Sequence, residues 1–303
     1  MLGSRTSPYL QEKLALLSAL TVFGQVPGLV EQLLGLRVNQ SQVYRQCQRI
    51  ADALDEPQLS TPSSALAGQQ AQALGLVYGM VDGRMRFTDQ GWQETKLGRV
   101  FADVFADVFA DVPADVPAGP QASEYVAHRG HYSGLTPCFE RLLPPDCAAQ
   151  KVFITDSAEW IANWLAAAYP AATHILDYYH VVEKLAAVVQ LLPQGPAWLE
   201  RQQAHLLADE SERGGAHVAG LRQLPQAERQ RLGTYPRTNH HRMRYGSYRA
   251  AGLLIGSGPI EAAHRSVLQV RMKRSGQRWA NHGCDHLLRL RTAYKSRKFD
   301  LVT

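Results

Sequence analysis

The sequence predicts an α/β fold with a mixed sheet and a helical insertion, preceded by a small all-α region. Two observations support this fold class. Residues 1–56 carry apolar side chains at helical spacing, whereas from residue 76 onward short β-rich runs are followed by alternating helical and extended segments. The chain has 303 residues, of which 45% are hydrophobic, so it is long enough to bury a large core.

Residues 1–56 are predicted to form three helices. Leucines recur at helical spacing from Tyr9 to Phe23, and a second apolar segment, VPGLVEQLLG, follows. The third segment begins at Asn39, a residue suited to cap a helix. Its predicted apolar face consists of Val43, Cys47, Ile50 and Leu54, and its exposed face of Gln42, Arg45, Gln46 and Arg49. A turn followed by a basic helix resembles a DNA-binding helix-turn-helix, although plain helix packing explains the pattern equally well.

The next segments predict a linker, a meander and a loop. DEPQLSTPSSALAGQQ is rich in Pro, Ser, Gln and acids, which predicts a linker over residues 57–75. The runs LVYGMVDG, RMRFT and WQETKLGRVF are separated by turn-forming residues and predict three antiparallel strands. FADVFADVFADVPADVPAG repeats a unit too short to stack a core, so residues 101–120 are predicted to be an inserted loop.

The order of elements after this repeat indicates a specific topology. A helix at SGLTPCFERLLPP, a strand at KVFIT, a helix at SAEWIANWLAAAYP and a strand at THILD are predicted in turn. A polar, helix-rich insertion at about residues 185–248 separates them from a basic C-terminal helical region. This order matches the ribonuclease H-like fold, in which the first and fourth strands are neighbours, and predicts one such domain over residues 76–303.

Three acids fall where this topology would bring them together. Asp82 ends or interrupts the first strand, Asp156 ends the fourth, and Glu261 lies in the first turn of a later helix. Three carboxylates at one point repel each other unless a divalent cation neutralises them, and oxygen ligands favour Mg²⁺ or Mn²⁺. Two such ions would activate a water or a 3′-hydroxyl for attack on a phosphodiester.

Each acid also has a structural explanation. Asp82 precedes Gly83, and Asp-Gly is a common hairpin turn. Asp156 can cap the helix that follows it, and an acid at position 261 is favoured by the helix dipole. Asp177, at the end of THILD, competes with Asp156 for the role of second acid. The residues alone leave these alternatives open.

Several long motifs resemble one family when they are taken together. VYGMVDGRM with GWQETKLGRVF, VFITDSAEWI with ILDYYHVVEKL, and IGSGPIEAAHRSVLQVRMKRSGQRW resemble the catalytic core of DDE transposases from bacterial insertion sequences, nearest to the Kra-type group. The resemblance extends from about residue 76 to the end. It implies that Asp82, Asp156 and Glu261 are metal ligands, and that the enzyme cleaves transposon ends and transfers strands to a target.

The resemblance also has departures. The family usually has Gly after the acid at the fourth strand, where this chain has Ser157. The FADV repeat belongs to no known pattern of the family. Two alternatives to an active transposase therefore stay open: an inactive or truncated copy that only binds DNA, and a host nuclease of the same fold.

Basic residues are concentrated after Glu261, in a chain with a formal net charge of +5. Beside a phosphodiester site, such residues are expected to hold phosphates. The predicted DNA contacts in this region are Arg265, Arg271, Lys273, Arg274, Arg278 and Trp279, the last by stacking on a base unless it is a buried anchor. His180 and His264 are candidate auxiliary residues. A helix from Pro259 would bury Ile260, Ala263, Val267 and Val270, with Glu261, His264, Arg265 and Leu268 on an adjacent strip.

The expected partners are double-stranded DNA, namely transposon ends and a target, and further copies of the chain on that DNA. No apolar run is long enough to span a membrane, and the N-terminus lacks the apolar core of a signal peptide, so a cytoplasmic location is expected. The four cysteines show no CxxC pairing and are expected to be reduced thiols.

Overall fold

The computed structural model describes residues 6–73, 75–102, 123–190, 192 and 195–302. The strands of this part of the chain are β1 (Leu76–Thr88), β2 (Gly91–Ala102), β3 (Ser123–Arg129), β4 (Gln150–Thr155) and β5 (Thr173–Leu176). They form a five-stranded mixed sheet in the order β3-β2-β1-β4-β5, so the predicted α/β class with a mixed sheet is confirmed. From residue 103 on, the predicted loop insertion lies outside the described residues.

The helices before β4 are α1 (Pro8–Leu20), α2 (Val26–Leu34), α3 (Gln40–Ala53), α4 (Glu56–Ser60), α5 (Ser64–Gln70) and α6 (Thr136–Leu142). Those after β4 are α7 (Glu159–Ala168), α8 (Tyr178–Val189), α9 (Gly195–Leu207), α10 (Ser211–Ala219), α11 (Gln226–Asn239), α12 (Tyr245–Ala250), α13 (Gly258–Ala263), α14 (Val270–Met272) and α15 (Asn281–Lys295). A π-helical segment, His264–Gln269, joins α13 to α14.

The described residues form two compact units. Unit 1 contains residues 6–102, 123–150 and 260–302, and unit 2 contains residues 151–259. The predicted boundaries at residues 56 and 75 are therefore not boundaries between compact units. The reason is that α1, α2 and α3 share one apolar core with Leu290 and Ala293 of α15, more than 200 residues away in sequence.

The three predicted N-terminal helices are present in unit 1. Asn39 caps α3 as predicted, because its Oδ1 accepts a hydrogen bond from the backbone N–H of Gln42 at 2.8 Å. Arg45 and Arg49 are exposed. The predicted exposure of Gln46 is wrong: its side chain is buried and its Nε2 donates to Thr6 Oγ1 at 3.2 Å.

The predicted linker at residues 57–75 is also wrong. It contains most of α4 and all of α5, and Leu59 and Leu66 are buried. The backbone N–H of Ser63 donates to Glu124 Oε1 of β3 at 2.8 Å. Isolated leucines in a polar stretch carry no clear period, so the packing partners rather than the local sequence place these short helices.

The meander is present with different members from those predicted. LVYGMVDG and RMRFT form the single strand β1, where Asp82 pairs with Leu97 of β2 and Gly83 with Lys96. A Cβ at Gly83 would lie 2.1 Å from Glu94 Oε1, so this glycine admits a cross-strand side chain instead of forming a turn. The turn is at Asp89-Gln90, and the third strand is β3, which the sequence pattern did not predict.

Unit 2 confirms the predicted strand, helix, strand order of KVFIT, SAEWIANWLAAAYP and THILD. β4 and β5 are parallel, with Val152 opposite Thr173 and Thr155 opposite Leu176, and α7 connects them. Helices α9 to α12 occupy most of the predicted helical insertion at residues 185–248.

Candidate functional site

Asp82 of β1 lies in a partly buried position in unit 1. Its Oδ2 accepts a hydrogen bond from Arg84 Nε at 2.9 Å and lies 3.3 Å from His264 Nε2. The same imidazole nitrogen lies 3.3 Å from the backbone oxygen of Asp82. The structure therefore brings together an acid and an auxiliary histidine that are 182 residues apart in sequence.

His264 is neutral near pH 7. Its side chain is 1% exposed, and burial lowers its pKa to about 4, with the positive charges of Arg84, Arg86 and Lys273 acting in the same direction. A neutral imidazole carries one N–H, and a hydrogen on Nε2 would donate toward Asp82. The Nδ1 atom is buried and has no hydrogen-bond partner among the described residues, and in that tautomer it is the acceptor nitrogen of the ring.

The π-helical segment determines which side chains face inward. Ile260, Ala263 and Val267 are buried as predicted, but Val270 is 47% exposed, whereas His264 and Leu268 are buried. A regular α-helical period predicted that Val270 would be buried and that His264 and Leu268 would lie on the adjacent strip. A π-helix makes i→i+5 hydrogen bonds and so shifts the phase of the residues that follow, and such segments are frequent at functional sites.

Glu261 lies in the first turn of α13, as predicted. Its side chain is 42% exposed, and its Oε2 lies 3.9 Å from Arg265 Nη2. The helical segment that carries Glu261 therefore also carries the histidine that contacts Asp82 and a cation suited to a phosphate.

Asp156 follows β4 in unit 2 and is partly buried. Its Oδ1 accepts a hydrogen bond from the backbone N–H of Ala158 at 2.9 Å. Ala158 is the N-cap of α7 and no side chain caps that helix, so Asp156 forms an Asx turn before the helix. Ser157, where the family usually has Gly, accepts a hydrogen bond from Lys184 Nζ at 2.7 Å.

Asp177, the competing second acid, has a structural role in unit 2. Its side chain is 4% exposed and caps α8 by accepting from the backbone N–H of Tyr179 at 3.0 Å. It also accepts from the N–H of Ser257 at 3.2 Å and from the Ser257 hydroxyl at 2.6 Å. The acid thus holds the IGSG segment against the start of α8, which links two of the sequence motifs physically. Asp156 remains the candidate for the second acid.

The described residues contain no group of three or more His, Cys, Asp or Glu side chains arranged to hold a metal ion. The donor chemistry of Asp82, Asp156 and Glu261 nevertheless fits a hard cation, because all three side chains are carboxylates. Their assignment to one site rests on the sequence pattern.

Most of the predicted DNA-contacting residues are exposed. Arg45 and Arg49 on α3, and Arg265, Lys273, Arg274 and Arg278 near the C-terminus, all lie at the surface of unit 1. A cavity of about 330 Å³ is lined by Gln40 and Tyr44 of α3 and by Gln277 and Arg278. The first turns of α3 therefore face the basic C-terminal segment across this cavity, within unit 1.

Arg271 and Trp279 correct the predicted set of DNA contacts. Arg271 is 0% exposed and Trp279 is 7% exposed. The Arg271 guanidinium lies over the rings of Phe23, at 4.8 Å, and Trp279, at 5.3 Å, and its Nε donates to the backbone oxygen of Ser18 at 2.9 Å. These two residues join the C-terminal segment to the N-terminal helices, so their main role is in packing, although both also line the cavity beside α3.

His180 and Arg84 complete the description of the site residues. His180 on α8 is partly exposed, and its Nδ1 lies 3.8 Å from Glu183 Oε2. Arg84, which pairs with Asp82, was not singled out from the sequence. The signal was present, since residues i and i+2 of a strand project from the same face of the sheet.

Comparison with known proteins supplies no family. No protein-family model matches the chain, and no curated protein matches it.

Among the described residues, no helix combines the length and the apolar character needed to cross a membrane.

Proposed function

We propose that the chain is a metal-dependent DDE transposase that cleaves transposon ends and joins them to target DNA. The observation that carries the proposal is the contact of His264 with Asp82. Two of the motifs that resemble the transposase family, far apart in sequence, meet at this point. The strand order β3-β2-β1-β4-β5, with an antiparallel meander followed by a parallel pair, supports the ribonuclease H-like fold.

In this proposal Asp82, Asp156 and Glu261 hold Mg²⁺ or Mn²⁺. When bound, the metal would activate the attacking oxygen and stabilise the leaving oxygen of a phosphodiester. His264, neutral and buried, orients Asp82, and Arg265 beside Glu261 holds a phosphate of the DNA. His180 is retained as an auxiliary residue. A homo-oligomer on double-stranded DNA in the bacterial cytoplasm is the expected working form.

A DNA-binding protein without chemistry is the second candidate. The Arg84 guanidinium donates to Asp82 at 2.9 Å, and such an ion pair competes with a cation for the same carboxylate oxygen. The exposed arginines and Lys273 would then act on DNA alone.

DNA cleavage by the 303-residue chain tests the proposal. The substrate is duplex DNA carrying the inverted repeats that flank the coding sequence, with Mg²⁺ or Mn²⁺. We expect nicking and joining by the parent chain, and none by the variants Asp82→Asn, Asp156→Asn and Glu261→Gln. Asp146→Asn is the matched control, because this acid is exposed in unit 1 and belongs to none of the motifs.

The outcomes separate the candidates. If the parent chain binds DNA but does not cleave it, the second candidate, a DNA-binding protein without catalytic activity, is supported. If it cleaves DNA with or without the repeats and joins no strands, a host nuclease is indicated. Undiminished cleavage by Asp156→Asn would show that Asp156 is not one of the metal ligands.

DNA binding by unit 1 is tested through its dependence on salt. Replacing Arg45 or Arg49 with Gln should weaken binding and lower the slope of log K against log salt by about one for each phosphate that the side chain neutralises. An unchanged slope would remove α3 from the DNA interface.

A further inference from the structure

Unit 2 contains a cavity of about 490 Å³ that lies outside the proposed metal site. Its walls are formed by α7, the segment after it, β5 and the residues around His241. Cavities of roughly 300–1,000 Å³ with apolar walls and a few polar groups are typical of small-molecule sites. The volume therefore suits a ligand of nucleotide size.

The polar side chains of this cavity are basic or neutral. His174, His241 and Arg242 line it, together with the hydroxyl-bearing Tyr169, Thr173 and Tyr248. Among the described residues that line the cavity there is no Asp or Glu. The rest of the lining is apolar and includes Ala162, Leu165, Ala166 and Pro170.

Arg242 is positioned but not neutralised. Its Nη2 donates to Asn239 Oδ1, which holds the guanidinium in place. Its Nε and Nη1 are buried and have no hydrogen-bond partner among the described residues. The Arg242 side chain is partly buried and lines the cavity, and burial lowers its pKa, so an anion bound in the cavity would stabilise the guanidinium charge.

Two histidines with lowered pKa values also line the cavity. His174 Nε2 lies 2.8 Å from Thr155 Oγ1, which fixes the ring. Burial lowers the pKa of His174 to about 3, and the nearby charges of Arg242 and His241 act in the same direction. The pKa of His241 is also lowered, by burial and by Arg242. The positive charge of Arg242 thus disfavours protonation of both histidines, and among the described lining residues Arg242 is the group that stays charged near pH 7.

We propose that this cavity binds a phosphate ester with an apolar or planar body, as found in a nucleotide. Arg242 and His241 contact the phosphate, and the apolar wall of Ala162, Leu165 and Ala166 holds the attached group. Guanidinium groups suit phosphate because they present several N–H donors in one plane. The ligand is either a free nucleotide or a terminal nucleotide of a DNA strand, which share this chemistry.

Calorimetry on the full chain, without divalent metal, tests the proposal with dAMP, deoxyadenosine, inorganic phosphate and a single-stranded tetranucleotide. We expect dAMP to bind more tightly than either deoxyadenosine or phosphate. A tetranucleotide that binds better than dAMP assigns the site to a strand end, and one that binds worse assigns it to free nucleotides. Equal binding of dAMP and deoxyadenosine would overturn the proposal.

Three variants locate the binding. Arg242→Gln should weaken dAMP binding at least about tenfold, since charge-assisted hydrogen bonds are lost. Ala166→Phe keeps every charge and fills the cavity from an exposed position of α7, and should weaken binding without unfolding the chain. Arg237→Gln is the matched control, because Arg237 is exposed in the same unit and lines a different cavity. Equal loss in Arg237→Gln, or undiminished binding in Ala166→Phe, would contradict the assignment.

Discussion

Replacing Asp177 with Ala is expected to destabilise the protein strongly. The carboxylate is 4% exposed and accepts three hydrogen bonds, from the Tyr179 N–H and from the N–H and hydroxyl of Ser257. Loss of a helix cap costs about 0.5–2 kcal/mol, and loss of each further hydrogen bond to a charged carboxylate costs about 1.5–3 kcal/mol. With partial relaxation of the Ser257 hydroxyl, the loss in free energy of unfolding is about 3–5 kcal/mol.

Thermal and urea denaturation measure this loss. A destabilisation of this size should lower Tm by roughly 10 °C in a protein of this length. Asp156→Ala is the control, because it removes the same group from the end of the neighbouring strand, where the carboxylate accepts a single described hydrogen bond. That variant should keep its Tm within a few degrees and lose DNA cleavage.

The comparison of the two variants can refute the assignment of the acids. An unchanged Tm for Asp177→Ala would show that its hydrogen bonds contribute little. If Asp177→Ala abolished cleavage at full stability while Asp156→Ala still cut DNA, Asp177 would be the second acid.

Three further predictions concern His264, the basic residues and pH. His264→Ala should slow DNA cleavage by about 10- to 100-fold and raise the Mg²⁺ concentration required, because Asp82 loses its orienting donor, and His264→Gln should restore part of the rate. An unchanged Mg²⁺ requirement would contradict this role. Arg271→Met should lower the free energy of unfolding by about 2–4 kcal/mol, because it removes a buried hydrogen bond and the cation–π interactions with two rings. Arg274→Met should weaken only DNA binding, and urea denaturation with salt-dependent binding separates the two. The pKa of His174 falls from 6.5 to about 3 on folding, so the unfolded chain binds an extra proton as pH drops below about 6.5 and stability is lost. Melting at pH 7.5 and pH 5 should show this loss, with a smaller decrease for His174→Gln; equal decreases would exclude His174 as its source.

Elements with a clear period and a clear end were predictable from the sequence. KVFIT and THILD are short apolar runs bounded by polar residues, and both are strands of unit 2. The third N-terminal helix shows helical spacing and a capping Asn39, and it begins where the cap predicts. In these segments the local signal and the tertiary environment agree.

Elements whose conformation depends on distant partners were not predictable. Asp82-Gly83 has the sequence of a hairpin turn, yet it lies inside β1, where Asp82 pairs with Leu97 and Gly83 with Lys96 of β2. The residues of α4 and α5 have the composition of a linker, but both helices bury a leucine, and Ser63 caps α5 by accepting from the backbone N–H of Leu66. Local propensity is a weak determinant where long-range packing opposes it.

The candidate site shows the same division. The residue types and their order predicted Asp82, Asp156 and Glu261 as one acidic set, and the sequence itself shows that basic residues are concentrated after Glu261. Only the structure distinguished the role of Asp177, which is hydrogen-bonded to Ser257, from that of Asp156. The burial of Arg271 against two aromatic rings is visible only in the structure. The exposure of an arginine depends on what packs around it rather than on its neighbours in sequence.

The sequence by itself therefore determined the α/β class, the boundaries of the periodic elements and the chemistry of the acids and cations, since these follow from composition and local spacing. The tertiary structure decided the strand to which Asp82 belongs, the shared core of the N-terminal helices with α15, and the inward position of His264. These depend on packing between residues far apart in the chain and on a π-helical change of phase, and neither of these leaves a local pattern in the sequence.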